Sequence, residues 1–305
     1  MIQANVVSIN PVEIFRQPLA HTRMPHTMKG LSWPADTSWT ALLYPGAVQG
    51  LHAPGREGDL GIHQLANHQV LLTLTVPRME FMPFSSKSYV KARCRYVGYV
   101  LKELELYREE LKGHIAGIHW VSDLVRLLCP LELTKLMYSV NRKLGAAMVM
   151  DMPRSVELSG PPPEEGVLPL IHGLGFTDLC FNFVDGEQWT HGTLQDCIGM
   201  AGSLGFERLH FRLEHASALD QIMRLTLPAS VYMERDHEAA RAMLGRYTET
   251  RPGYFLLQPV VRKPDALWGL GLGAVSAAGE GVRINTQRLD RYYEALDQGQ
   301  FPLAV

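Results

Sequence analysis

Nine side chains in this sequence can move protons, hold anions or hydrogen-bond a ligand, and their spacing assigns them to one surface. In Leu179–Phe183 and Leu209–Leu213 apolar and polar residues alternate strictly. One side carries Leu179, Phe181, Phe183, Leu209, Phe211 and Leu213; the other carries Cys180, Asn182, His210, Arg212 and then Glu214. If the apolar side packs against helices, the polar side points inward, joined by Thr73, Thr75, His119 and Glu157. In that arrangement His210 is the proton-transfer group, Arg212 an anion anchor and Glu157 or Glu214 the carboxylate, with His119 and Asn182 as further ligand contacts. An interior with no task should be apolar, because an uncompensated buried polar group costs roughly 1–3 kcal/mol. The set is therefore either a ligand-binding lumen or a self-satisfied network in which Arg212 pairs with Glu157 or Glu214. Cys180 reads as a nucleophile beside His210 or as an inert buried thiol.

A second cluster is Gly269-x-Gly271-x-Gly273, followed by Ala274. Here glycine either lets Gly271, Gly273 and Ala274 approach a ligand closely, or serves only the geometry of a strand-to-helix turn. Met79, Met82, Met137, Met148, Met150 and Met152 read as core packing. His21, His26, His63 and His68 read as scattered surface groups, since no two sit at helical ligand spacing.

The elements that must position these residues are announced by a repeat. Gly173-Leu174-Gly175-Phe176 leads into Asp178–Phe183, and Ser203-Leu204-Gly205-Phe206 leads into Arg208–Leu213, 30 residues later. Each copy ends a helix at Leu-Gly-Phe and opens a strand. Strands are expected at Val70–Val76, Ile115–Trp120, Val156–Leu158, Asp178–Val184, Arg208–Leu213, Ala229–Met233 and Tyr254–Val260. Helices are expected at Tyr89–Lys112, Pro130–Leu144, Glu164–Leu174, Leu194–Leu204, Ala218–Leu225, Asp236–Arg246 and Arg288–Asp297, with a glycine-rich turn at Gly269–Gly281. Seven strands alternating with helices predict an α/β fold closed as a partial or complete barrel, with an open doubly wound sheet as the alternative. Residues 1–68, rich in Pro, Gly and His, form an irregular N-terminal arm expected to wrap a main body at 69–305.

At 305 residues, 46% hydrophobic and 20% charged, the chain has an ordinary globular composition. A net charge of −2 offers no basic excess for nucleic acid. No apolar run reaches 18 residues and Met1–Asn10 lacks a signal core, so no membrane partner and a cytoplasmic location are expected. The four cysteines, Cys94, Cys129, Cys180 and Cys197, contain no Cys-x2-Cys pair.

Leu270-Gly271-Leu272-Gly273-Ala274-Val275-Ser276, with Gly279, Gly281-Val282-Arg283 and Asn285, resembles a turn of the oxygen-independent coproporphyrinogen III oxidases of the radical S-adenosylmethionine (SAM) superfamily. Leu289-Asp290-x-Tyr292-Tyr293-Glu294-Ala295-Leu296, Gly299-x-x-Pro302, Val156-Glu157-Leu158, Ile118-His119-Trp120 and Tyr96-x4-Leu101-Lys102-Glu103-Leu104 follow the same order. The resemblance spans about Val70–Pro302. It implies a partial (β/α)6 barrel of radical SAM type, without that family's C-terminal domain.

It also implies chemistry whose residues are missing. The family's Cys-x3-Cys-x2-Cys holds a [4Fe–4S] cluster; here Met82-Pro83-Phe84-Ser85 stands at its first cysteine, followed by Tyr89 and Ala92, or in the other alignment Met79, Pro83 and Ser86. None replaces a soft thiolate well. The SAM-contacting Gly-Gly-Gly-Thr-Pro turn is Val121-Ser122-Asp123-Leu124-Val125, the acidic residue of the fifth strand is Arg212, and the Gly-Val-Gln segment is Asn182-Phe183-Val184. Glu157 and Gly271–Ser276 match. The expectation is a degenerate homologue without the cluster, a non-catalytic binder of a small molecule or tetrapyrrole, or a partner subunit of an intact family member. The alternative is a cluster-free enzyme of a specialised pathway, working by acid–base chemistry or SAM-dependent transfer in the polar lumen. SAM is the one cofactor the resemblance leaves open.

Overall fold

The computed structural model describes residues 39–48, 51, 65, 68–76, 87–121, 124–146, 152–159, 163–183, 191–258, 264–279 and 281–304. Val-Leu-Leu-Thr-Leu at 70–74 is buried along its whole length, as suits a strand covered on both faces. This strand, β1 (Val70–Leu74), belongs to one sheet of eleven strands among the described residues. On one side of it follow β2 (Ile115–Trp120), β3 (Arg154–Ser159), β4 (Asp178–Phe183), β5 (Arg208–Leu213) and β6 (Ser230–Met233), each parallel to its neighbour. An antiparallel pair, β7 (Thr248–Arg251) and β8 (Tyr254–Leu256), ends that side, with β7 at the edge. On the other side β9 (Ala266–Leu270) is parallel to β1, and β10 (Val275–Ala278) and β11 (Gly281–Ile284) fold back antiparallel. The sheet is mostly parallel and does not close into a barrel.

The repeat is explicit in the backbone. Helix α7 (Val167–Gly173) and helix α8 (His191–Leu204) each end on a left-handed glycine, Gly175 at φ 89° and Gly205 at φ 90°. In both, the next amide reaches back five residues, Phe176 N to Ile171 O and Phe206 N to Ala201 O. This helix end satisfies orphan carbonyls and delivers a phenylalanine, buried in both copies, just before the next strand.

Two apolar layers cover the sheet. The larger lies under the helices α3 (Lys87–Leu106), α6 (Pro130–Leu144), α7, α8, α9 (Ala216–Leu225) and α11 (Leu289–Asp297), and takes Leu179, Phe181, Leu209, Phe211 and Leu213, with Phe183 at its margin. The smaller lies on the opposite, inner face. It is built by two short helices, α1 (Trp39–Leu43) and α2 (Pro45–Val48), with Leu71, Cys180, Tyr254, Leu267 and Ala277. The described part of the N-terminal segment thus packs on the inner face. The remainder of residues 1–68, including His21, His26 and His63, lies outside the described residues, as do Met79, Met82, Met148 and Met150.

Two expectations need correction. Gly269–Gly281 is not a free-standing turn. Ala266–Leu270 is a buried strand in register with β1, disguised by its glycine, and a methyl on Gly269 would stand 2.5 Å from the Val275 carbonyl oxygen. The seventh parallel strand is therefore β9, while Tyr254–Leu256 is antiparallel near the edge. The long helix expected at Tyr89–Lys112 is interrupted at Tyr107, dividing α3 from α4 (Arg108–Leu111).

Candidate functional site

Strand register aligns the polar residues in rows. Glu157, Cys180 and His210 are cross-strand partners, and so are Ser159, Asn182 and Arg212. Around Glu157, Ser159 and Asn182 the side chains engage one another and their neighbours. Ser155 Oγ is 2.8 Å from both the Tyr44 hydroxyl and His119 Nδ1, and His119 Nε2 is 2.9 Å from Glu157 Oε1. With an ionised Glu157 and a neutral His119 the donors run in one direction: Tyr44 to Ser155, Ser155 to His119, His119 to Glu157. Asn182 Nδ2 donates to Ser159 Oγ at 2.8 Å and to Glu157 Oε2 at 3.3 Å, and its own Oδ1 accepts Trp39 Nε1–H at 2.7 Å.

His210 heads a second set. Its Nε2 lies 3.1 Å from Asp178 Oδ1 and its Nδ1 lies 2.7 Å from Ser230 Oγ, while Asp178 also accepts from Arg208 Nε and Thr177 Oγ1, each at 2.8 Å. Trp39 and Tyr44 cover both sets. Their rings sit 5.9 Å from the His210 and His119 rings respectively, and Trp39 is 1% exposed and Tyr44 fully buried.

The structure therefore brings His119, Glu157, Asn182, Cys180 and His210 together on the inner face, under the chain's own N-terminal segment. The side chains of Arg212 and Glu214 pair with other residues. Arg212 Nε donates to Glu234 Oε1 at 2.7 Å, and its guanidinium stands 5.6 Å from the Tyr232 ring. Glu234, not Glu157 or Glu214, is its carboxylate. Glu214, just past the end of β5, lies 3.5 Å from Arg235 and 3.7 Å from His215.

The glycine turn forms a second centre, and its amides are used internally. Gly271 N donates to Glu103 Oε2 at 2.8 Å, Leu272 N to the Tyr96 hydroxyl at 2.8 Å, Gly273 N to Thr286 O at 3.0 Å and Ala274 N to Gly271 O at 3.2 Å. Fully buried Glu103 also accepts Asn285 Nδ2–H at 2.6 Å and the Tyr292 hydroxyl at 2.6 Å. Burial pushes its carboxyl up to about 7, against the three hydrogen bonds and nearby Arg283, which favour the ion. The Tyr292 hydroxyl is held well above its ordinary range by burial and by Glu103. Gly271 (φ 104°) has no room for a side chain, since a methyl would stand 2.4 Å from Thr75 O. At Gly273 (φ 66°) a methyl would touch only the Gln287 side chain, at 3.4 Å.

Among the described residues the four cysteines are not grouped as the ligands of an iron–sulfur cluster. Cys180 is in the inner-face layer and Cys197 on the helix side of the sheet, where burial pushes its thiol up to about 12. Cys94 on α3 donates to Glu132, and Cys129 caps α6. Among the described residues no three His, Cys, Asp or Glu side chains are grouped to hold a metal ion. Met79, Met82, Pro83, Ser85 and Ser86 lie outside the described residues.

No family model and no curated protein sequence matches this chain. Among solved structures it is similar to coproporphyrinogen III oxidase (HemN) from Escherichia coli, described as a radical SAM enzyme. The two share 15% identity and a TM-score of 0.65 over 79% of this chain and 73% of that one. The fold is of the radical SAM type.

On this radical SAM fold, several of the residues that carry the sequence resemblance gather at the glycine turn. Tyr96, Glu103, Gly271, Asn285 and Tyr292 all bond within one cluster joining α3, the β9–β10 turn, the end of β11 and α11. Sequence reasoning missed Asp178, Ser155 and Ser230, although Asp178 and Ser155 share strand parity with Cys180 and Glu157, and Ser230 stands beside His210 across the β5–β6 pair. No sequence signal pointed to Trp39 or Tyr44. Among the described residues no helix is long and apolar enough to cross a membrane.

Proposed function

We propose that this chain is a non-catalytic protein on a radical SAM fold, acting as a partner subunit of an intact enzyme of that fold. The observation that carries this reading is the filled inner face: Trp39 and Tyr44 cap both histidine–carboxylate pairs, and the polar groups there bond one another or those two rings. The glycine turn supports it as well, since its amides are committed to Glu103, Tyr96 and neighbouring carbonyls. Glu157, the acidic residue that matches the family, holds His119 and Asn182.

The test is co-purification and sedimentation with a coproporphyrinogen III oxidase-type enzyme, beside a thermal-shift screen of SAM, S-adenosylhomocysteine, haem and coproporphyrin. A mixed complex and no shift from SAM or S-adenosylhomocysteine are expected. A shift from haem or coproporphyrin without a complex replaces the partner reading with that of a tetrapyrrole binder. Turnover of SAM by the purified chain overturns both.

One observation favours a second reading, a cluster-free enzyme. Cys180 lies between Glu157 and His210 in the strand register, an arrangement suited to proton transfer once Trp39 is withdrawn. Activity lost on His210→Ala at unchanged stability would carry it.

A further inference from the structure

Resting on the reading of this chain as a partner subunit, we propose that the partner docks on the outer face of helix α6, and that this face takes an acidic amphipathic helix. The contact residues lie along one side of α6. Leu131 is 75% exposed and Tyr138 is 60% exposed, the highest values for large apolar side chains among the described residues. Standing at positions 131 and 138, they share a face and lie about 10 Å apart along the helix axis. A solvated helix face is ordinarily polar, and one exposed apolar residue is common. Two of them, two turns apart, form the kind of ridge by which one helix packs on another. Val90 extends the ridge onto α3, which packs beside α6. It is 39% exposed and stands one turn before Cys94, whose thiol bonds Glu132 next to Leu131.

The charges around this ridge have one sign. Exposed Lys135 stands between Leu131 and Tyr138, and Arg142 follows one turn later with its guanidinium 6.0 Å from the Tyr138 ring. Lys91 is exposed beside Val90. The one carboxylate of α6, Glu132, is buried and lies 2.6 Å from Arg93. From Lys87 to Lys102 α3 has no acidic residue at all. Among the described residues Lys91 and Lys135 have no carboxylate partner.

Apolar contact and unbalanced positive charge together select the occupant, a helix with apolar residues on one side and Asp or Glu at its margins. A second copy of this chain does not fit. Packed on itself about a two-fold axis, α6 sets Leu131 against Tyr138 of the other copy. Lys135 then meets its own counterpart beside the axis, like charge on like. The complementary sign has to come from a different protein.

The test uses the full chain with a coproporphyrinogen III oxidase-type enzyme. Sedimentation gives the affinity, and carbodiimide coupling, which joins a lysine amine directly to a carboxylate, maps the contact. Cross-links from Lys135 and Lys91 should land on Asp or Glu residues that share one helix face of the enzyme. Leu131→Ser and Lys135→Glu should each weaken the complex by about tenfold or more at unchanged Tm, because both side chains are exposed. Affinity should also fall as salt rises. A complex that cross-links elsewhere, and that both variants form as well as the wild type, overturns this docking face and leaves the subunit reading standing. No complex with the wild-type chain overturns both. Self-association lost in Leu131→Ser, or binding to phosphatidylserine–phosphatidylcholine vesicles lost in Lys135→Glu, overturns the proposal by giving the face to another occupant.

Discussion

Truncating Trp39 to alanine tests whether the N-terminal segment is a fixed part of the interior. The indole is 1% exposed, lies against the His210 ring and donates to Asn182. Removing a buried tryptophan costs about 3–5 kcal/mol through lost transfer energy and the cavity left behind. Asn182 Oδ1 also loses its donor, which adds about 1 kcal/mol, the low end of the penalty because that residue is half-buried. The expected loss is therefore about 4–6 kcal/mol, seen in urea unfolding as a lower midpoint at unchanged slope. At about 2 °C per kcal/mol for a chain of this size, Tm falls by roughly 10 °C. Trp39→Phe keeps most of the packing and should lose only about 1–2 kcal/mol, so the difference isolates the indole N–H and the extra ring. A loss below about 1 kcal/mol in Trp39→Ala would refute the seated segment. New binding of SAM or coproporphyrin by that variant, at nearly wild-type stability, would make the segment a lid over a working site.

The two turn glycines should separate cleanly. Gly271→Ala drives a methyl into Thr75 O and the Tyr96 hydroxyl, at 2.4 and 2.6 Å, and should cost more than about 3 kcal/mol. Gly273→Ala meets open space apart from Gln287 and should cost about 1 kcal/mol, the left-handed backbone penalty, by thermal melting. Arg212→Ala breaks a pair whose side chains are 24% and 23% exposed, so about 1 kcal/mol is expected; a loss above 3 kcal/mol would mean a drier pair than this one. Protein reconstituted anaerobically with iron and sulfide should lack the broad visible absorption of a [4Fe–4S] cluster. Near-stoichiometric iron and sulfide, lost on Ser85→Ala, would reverse that.

Periodicity carried the fold furthest where both ends of an element were marked. Pro130–Leu144 was legible because Pro130 opens the helix and Gly145, left-handed at φ 71°, closes it. The Leu-Gly-Phe repeat fixed the register of β4 and β5, and with it the division between helix-facing phenylalanines and the inner polar row. β9 was hidden because a strand containing Gly269 and followed at once by Gly271 looks locally like a turn; only pairing with a strand about 195 residues away makes it one. The partner of Arg212 was missed for a similar reason, since Glu234 lies beyond β6 and meets Arg212 only through the β5–β6 register. Trp39 and Tyr44 could not be read at all. Helices of five and four residues have almost no intrinsic stability and owe their existence to the surface they cover.

The position of β1 between β2 and β9 has a consequence during synthesis. Its β2 edge can pair as soon as Trp120 has emerged from the ribosome. Its other edge waits for β9, with 195 residues separating Thr73 from Trp268. At about 5–20 residues per second, that is roughly 10–40 s in which a five-residue buried run carries an unpaired row of amides and carbonyls. Helix α2 waits for the same event, because it rests on β9 and β10. A nascent chain stalled before Ala266 thus has a sheet with a sticky side and an N-terminal segment without its full seat, and self-association should be its dominant fate. For this architecture the cost of a late interruption is aggregation more than partial function.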